Sequence, residues 1–222
     1  MIKIPSYNNK VLSAQEREDC RVMANATIQD FNESIEGLHK LSREFTPSQN
    51  EEHNKIMNIL LEIGMFTGYT YCDCVILLKH FILSANSYEK SFFRGKLKVL
   101  LNEGFKRLYG FTAANRKESY YAKVGEIIHI FPGMQSDYES ILSDLEQTAQ
   151  PSHGSWWKDV RDSEVHFDVA QLDRIRHEEI NESKEAIESL QLTTLLNRVN
   201  RLMRDLSKVY INHMINLMKT QK

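Results

Sequence analysis

The sequence predicts an all-α protein built as an antiparallel helical bundle. Apolar residues recur every three to five positions through most of the 222 residues, and only nine Gly and four Pro are present to interrupt helices. Strand signals are nearly absent, and 41% of the residues are hydrophobic, which is enough to form a core. We expect a single helical domain over residues 1–222, with a core bundle at about 13–149 and further helices at about 155–219.

The first three helices are marked by their start and stop signals. Ser13 and Glu16 form a capping box that opens a long first helix, which ends before Pro47. The second helix should run from about Ser48 to Leu83, and it is apolar on more than one face, as a helix in the centre of a bundle would be. A third helix should stop at Gly110, because glycine favours the left-handed conformation that ends many helices.

The later helices are separated by one clear loop. A fourth helix should cover about Asn115 to Phe131 and be closed by the Pro-Gly pair that follows it, and Ser136 with Glu139 opens a short fifth helix. The sequence QPSHGS at 150–155 predicts the main loop. The last stretch carries an apolar stripe from Leu192 to Tyr210, which predicts an amphipathic helix that packs against another surface.

The charges are unevenly distributed along the chain. The formal net charge is only -2, which argues against a generally basic nucleic-acid coat protein. Residues 86–123 nevertheless contain nine basic and three acidic residues, and residues 198–222 contain six basic residues and one acidic residue. Two basic helices could therefore form an electropositive face for an anionic partner, although solvated helix faces also segregate charge without function.

The sequence also indicates where in the cell the protein is located. Cys20, Cys72 and Cys74 are too few for a disulfide framework, which favours a reducing environment. The N-terminal residues lack the apolar run of a signal peptide, and polar or charged residues interrupt the most hydrophobic stretch. We expect a soluble, cytoplasmic protein without a membrane span. No Gly-rich phosphate loop or G-x-S-x-G motif occurs, which disfavours nucleotide hydrolases and the common hydrolases.

The most informative local string is SWWKDVRDSEVHFD, at residues 155–168. It places Arg161 and His166 five positions apart, with the polar Asp162 directly after the Arg, between the main loop and a C-terminal helix. This segment resembles the R-x4-6-H signature of the HEPN superfamily, a group of helical ribonuclease and nucleotide-binding domains. In that signature the residue after the Arg is typically Asn, Asp or His.

The resemblance implies a metal-independent endoribonuclease that requires no cofactor. In related ribonucleases the 2'-hydroxyl attacks the adjacent phosphate and leaves a cyclic phosphate, and two copies of the motif meet across a homodimer cleft. Arg161 would then bind the phosphate, His166 would act as the acid or base, and Asp162 would orient one of them. Some members are toxins or phage-defence effectors, so RNA, a second copy of the chain and a cognate antitoxin are the expected partners.

The residue types suit this chemistry. Histidine titrates near neutral pH and can move a proton to or from a sugar oxygen, and arginine can hold a phosphate in a bidentate manner. Further candidates for nucleic-acid contact are Arg94, Lys96 and Lys98 of the third helix, and Trp157, which could stack on a base. In an alternative interpretation, Arg161 forms an ion pair on a polar helix end and the tryptophans anchor the core.

Two other functions remain open at this point. One is a non-catalytic helical dimerisation or interaction module, with the apolar stripe of the last helix as its partner surface. The other is a di-metal carboxylate bundle, since two E-x-x-H pairs and two further glutamates lie in separate helices. The residues concerned are Glu36, His39, Glu62, Glu103, Glu126 and His129. Glu62 and Glu103 could instead be buried carboxylates paired with Lys or Arg.

Overall fold

The structure is a computed structural model that describes residues 11–47, 49–148, 170, 173 and 180–220. Within these ranges the chain forms helices and no β-strand, so the predicted all-α class is confirmed. The helices are α1 (Ala14–Glu44), α2 (Glu51–Leu83), α3 (Ser87–Leu108), α4 (Ala113–Lys117), α5 (Tyr120–Ile127), α6 (Gln135–Thr148) and α7 (Glu182–Thr220), with short 3-10 turns at Ile128–Ile130 and Pro132–Met134.

Helix α2 is the centre of the bundle. Helices α1, α3 and α7 each pack extensively against it and make few contacts with one another. Both α1 and α7 run antiparallel to α2, since Gly64 lies beside Leu38 and Met203, whereas Gly68 lies beside Phe31 and Asn200. The prediction that this helix is apolar on more than one face because it is central agrees with its long run of buried residues.

The apolar character of α2 also bears on membrane insertion. Among the described helices, α2 is long and apolar enough to cross a bilayer by length and mean hydropathy. Most of that apolar stretch is buried by the surrounding helices. This burial is the pattern of a core helix in a soluble protein.

The predicted ends of the first three helices agree closely with the structure. The capping box at Ser13 is present, with the Glu16 backbone N–H donating to Ser13 Oγ at 3.3 Å and the Ser13 N–H donating to Glu16 Oε2 at 2.8 Å. Helix α2 begins at Glu51, slightly later than predicted, because Asn50 accepts a hydrogen bond from the His53 N–H and acts as the N-cap. Gly110 follows α3 with a φ of 82°.

The predicted single helix from about Asn115 to Phe131 is wrong. The chain instead forms α4 and α5, followed by the two 3-10 turns. The break occurs at Ser119, whose hydroxyl accepts a hydrogen bond from the Ala122 N–H and so starts a new helix. Close to Pro132 the α-helix cannot continue, because the residue before a proline is sterically excluded from the helical conformation.

The apolar stripe of α7 packs into the core. Its members from Leu192 to Tyr210 are buried, except Val209, which is 44% exposed. They contact α2 over most of its length. The stripe is therefore covered by the protein's own bundle, which removes the surface that the interaction-module hypothesis needs.

Candidate functional site

The predicted catalytic motif lies outside the described residues. This applies to Arg161, Asp162 and His166, and also to Trp157. The described chain leaves α6 at Thr148 and enters α7 at Glu182. The residues that the structure does describe form two polar features, a buried charge cluster and an open basic cleft.

The buried charge cluster includes two of the cations predicted to bind nucleic acid. Glu185, in the first turn of α7, accepts hydrogen bonds from Arg94 Nε at 2.9 Å and from Lys98 Nζ at 3.1 Å. Arg94 is 7% exposed and Lys98 is 2% exposed. Both cations thus neutralise a carboxylate inside the bundle, whereas Lys96 is exposed and lies over the Phe92 ring at 5.5 Å.

A second carboxylate extends the cluster to α1. Glu182, which is 4% exposed, forms ion pairs with Arg17 of α1 and Lys90 of α3. Its Oε2 also accepts a hydrogen bond from the Leu12 backbone N–H at 3.3 Å. Four cations and two carboxylates therefore join α1, α3 and α7 at one end of the bundle. Because buried charges require partners, this cluster fixes how the start of α7 docks.

Burial changes the ionisation of one member of the cluster. Removal from water lowers the pKa of Lys98, Glu185 opposes the change and the charge of Arg94 adds to it, so that the pKa is about 8 instead of the usual 10.5. The charged form of Lys98 is therefore less stable in the folded protein than in the unfolded chain. This penalty is complete below pH 8 and disappears as the pH rises towards 10.5.

We expect Lys98→Met to remove this pH dependence. As the pH rises from 8, the unfolded wild type binds more protons at position 98 than the folded one, so wild-type stability should rise relative to the variant, by up to about 1.4 kcal/mol per pH unit. Urea denaturation between pH 7 and 9.5 measures the free energy of unfolding of both proteins. Titration of the cysteines and tyrosines contributes equally to both, so it cancels in the difference between them. If the difference in stability between the two proteins does not change with pH, the pKa of Lys98 is not lowered in the folded protein.

The di-metal hypothesis has no supporting geometry in the described part of the chain, where no group of three or more His, Cys, Asp or Glu side chains could hold a metal ion. Glu62 accepts a hydrogen bond from the Tyr120 hydroxyl at 2.9 Å and pairs with Lys123. Glu126 pairs with Lys55. The expectation that Glu62 is buried is wrong, since its side chain is 52% exposed.

The basic cleft lies where α2 and α3 meet α4 and the start of α5. It encloses about 480 Å³ and is lined by Phe66 and Thr70 of α2, by residues of α3 between Leu100 and Arg107, and by Asn115, Glu118 and Ser119. Gly104 forms part of the floor, and a Cβ there would lie 2.9 Å from Thr70 Cγ2. The close approach of α3 to α2 therefore requires the glycine.

Cations cover two buried tyrosine rings near this cleft, Tyr109 and Tyr120. Arg107 and Lys123 lie over the Tyr120 ring at 5.7 and 5.1 Å from its centre, and Arg116 lies over the Tyr109 ring at 5.0 Å. The lining itself is balanced in charge, with Lys106 and Arg107 against Glu103 and Glu118. The positive excess of this surface comes from the exposed Arg116 and Lys117, which lie between the lining residues Asn115 and Glu118 in sequence.

Helical phase in the sequence could have identified this surface. Leu97, Leu101, Phe105 and Leu108 define the buried face of α3, and Arg94 and Lys98 fall on the same side. Lys106 and Arg107 fall on the opposite side. The basic composition of residues 86–123 thus separates into cations that pair inside the bundle and cations that line the cleft.

Comparison with protein-family models, with curated proteins and with solved structures gives no match to this chain.

Proposed function

We propose that this protein is a metal-independent endoribonuclease of the HEPN type, and that the basic cleft holds its single-stranded RNA substrate. The supporting observation is the cleft itself, an open cavity lined by the exposed cations Lys106 and Arg107, with the exposed Arg116 next to the lining residue Asn115. Cations that track the phosphate backbone are a usual means of holding single-stranded nucleic acid without regard to its sequence. The cytoplasm, with its RNA and its reducing conditions, is the proposed location.

The proposed chemistry belongs to Arg161 and His166. One His166 nitrogen takes the proton of the ribose 2'-hydroxyl as the oxygen attacks phosphorus, and the P–O5' bond breaks. The leaving 5'-oxygen takes a proton from the protonated His166 of the second copy in a homodimer, and a 2',3'-cyclic phosphate remains. Arg161 offsets the charge that develops on the phosphate, and Asp162 orients its neighbours. The non-catalytic interaction module has no comparable support, because the stripe on α7 is buried.

Cleavage of a labelled single-stranded RNA by the purified full chain tests this proposal. We expect cleavage in the presence of EDTA, products that end in a cyclic phosphate, and no cleavage of the matching DNA, which lacks the 2'-hydroxyl. His166→Ala and Arg161→Ala should each lower the rate by at least about 100-fold. Rates unchanged in both variants, with the melting temperature retained, would show that the catalytic assignment is wrong.

The role of the cleft is measured separately, by RNA binding to the inactive His166→Ala protein. Reversing Lys106 and Arg107 to glutamate should weaken binding and reduce its dependence on salt, because fewer counterions are released. Arg43→Glu is the matched control, since Arg43 is an exposed cation in the last turn of α1, away from the cleft lining. If the His166→Ala protein, its charge-reversed variant and the Arg43→Glu control all bind RNA equally well, the cleft does not bind RNA.

A further inference from the structure

A second cavity lies on a different side of α2, between α1 and α7. It encloses about 410 Å³. Helix α2 supplies the floor, and α1 and α7 form walls that make few direct contacts with each other. The ion pair of Arg17 with Glu182 joins the two walls at one end. At the other end Phe31 of α1 packs beside Gly68 and against the Tyr71 ring, whose centre is 5.8 Å away.

The lining of this groove changes from polar to apolar along its length. Near Phe31 the walls present polar groups, namely Thr27, Tyr71, Asn197 and Arg201. Towards the Arg17 end the lining is mainly apolar, with Lys79, Thr193 and Thr194 as its polar members; the apolar residues are Cys20, Met23, Val75, Leu78, Ile82 and Leu190. Eleven residues of α2 separate Tyr71 from Ile82, which corresponds to about 16 Å along the helix axis.

The polar end carries donors that the described bundle does not use. Asn197 and Arg201 are four residues apart on α7, and neither side chain makes a hydrogen bond or an ion pair within the described part of the chain. The Arg201 side chain is exposed, and its positive charge acts on the Tyr71 hydroxyl, which lines the same end of the groove. Lys79, which follows Leu78 in the mainly apolar end, donates to the Asn25 side chain at 3.3 Å rather than to a carboxylate.

From these features we infer that the groove binds a small amphiphilic carboxylate, with its head at Arg201 and Asn197 and its acyl chain over Leu78 and Ile82. An arginine fork matches a carboxylate in geometry and charge. The volume lies within the range of small-molecule sites, in which an apolar lining buries the ligand body and a few polar groups fix its orientation. The polar end of the groove holds the carboxylate and the apolar end holds the acyl chain, so the change in polarity sets the orientation of the bound ligand.

Binding of decanoate to the full chain, measured by titration calorimetry below the micellar range, tests this inference. We expect one molecule bound per chain, much weaker binding of decanol, which lacks the charge, and of butyrate, which lacks the chain. Arg201→Gln should weaken decanoate binding by at least about tenfold, as the loss of a charge-assisted contact does. Arg204→Gln is the control, because Arg204 lies one turn further along α7 and does not line the groove.

A second variant tests the apolar part. Ala24→Phe places a ring in the groove and should abolish binding while RNA cleavage is unchanged. If this variant does not fold, the comparison of decanoate affinity between Arg201→Gln and Arg204→Gln still tests the inference. Absence of decanoate binding, equal affinity for decanol, or equal effects of the two arginine variants would each overturn the inference. None of these outcomes bears on the ribonuclease proposal, whose residues and cleft are separate.

Discussion

Replacing Glu185 with glutamine should lower the free energy of unfolding by about 3–5 kcal/mol, the range found when one partner of a buried ion pair is removed. The substitution preserves shape and leaves Arg94 and Lys98 as neighbouring buried cations without their carboxylate. Such cations lack the hydration that they have in the unfolded chain. Urea denaturation at pH 7, followed by circular dichroism, measures the loss.

Two comparisons show whether this loss comes from the buried charges. Glu18→Gln removes an exposed carboxylate whose partner is Arg21 on the same helix, and it should leave the stability unchanged within error. Adding Lys98→Met to Glu185→Gln should restore part of the lost stability, because one of the two buried cations that lost Glu185 is removed. If the double variant is no more stable than Glu185→Gln alone, the loss arises from packing rather than from charge.

Replacing Gly110 with alanine should cost about 2 kcal/mol or more, a typical value for a side chain forced into the left-handed region. The φ of 82° already disfavours any residue with a Cβ. A Cβ at this position would also lie 2.8 Å from the carbonyl carbon of Asn115, so the backbone of α4 would have to shift. Since Asn115 lines the basic cleft, RNA affinity should fall together with the melting temperature.

A glycine in an ordinary helical position provides the control. Gly37 lies inside α1, and an added Cβ there meets no atom within 4 Å. Gly37→Ala should therefore stabilise the protein by about 0.5–1 kcal/mol, since alanine loses less conformational freedom in a helix. If both alanine substitutions change the free energy of unfolding in the same direction, the left-handed backbone at Gly110 is not the cause of its effect.

The helices of the bundle could be predicted because the sequence signals that start, stop and orient them act over short stretches of chain. The capping box at Ser13, the apolar period of α2 and the glycine after α3 each act within a few residues of chain. Polar partners distant in sequence could not be predicted. Glu185 lies 91 residues from Arg94 and 87 from Lys98, and the sequence does not show that the two cations turn inward to meet it.

The break at Ser119 illustrates a competition between local signals. Apolar residues recur at helical spacing from Tyr120 to Phe131, and one helix is predicted from about Asn115 to Phe131. The serine hydroxyl offers the backbone a cap, and the two short helices that result place Arg116 beside Tyr109. Part of the cleft therefore depends on one side-chain hydrogen bond, whose occurrence composition and periodicity do not reveal.

The central position of α2 has a consequence for biosynthesis. About 100 residues separate the end of α2 from the start of α7, the helix that covers much of its apolar surface. At roughly 5–20 residues per second, a ribosome needs about 5–20 s to make that interval. During this time the face of α2 that α7 later covers is exposed on the nascent chain. We therefore expect chaperones to bind this face during synthesis.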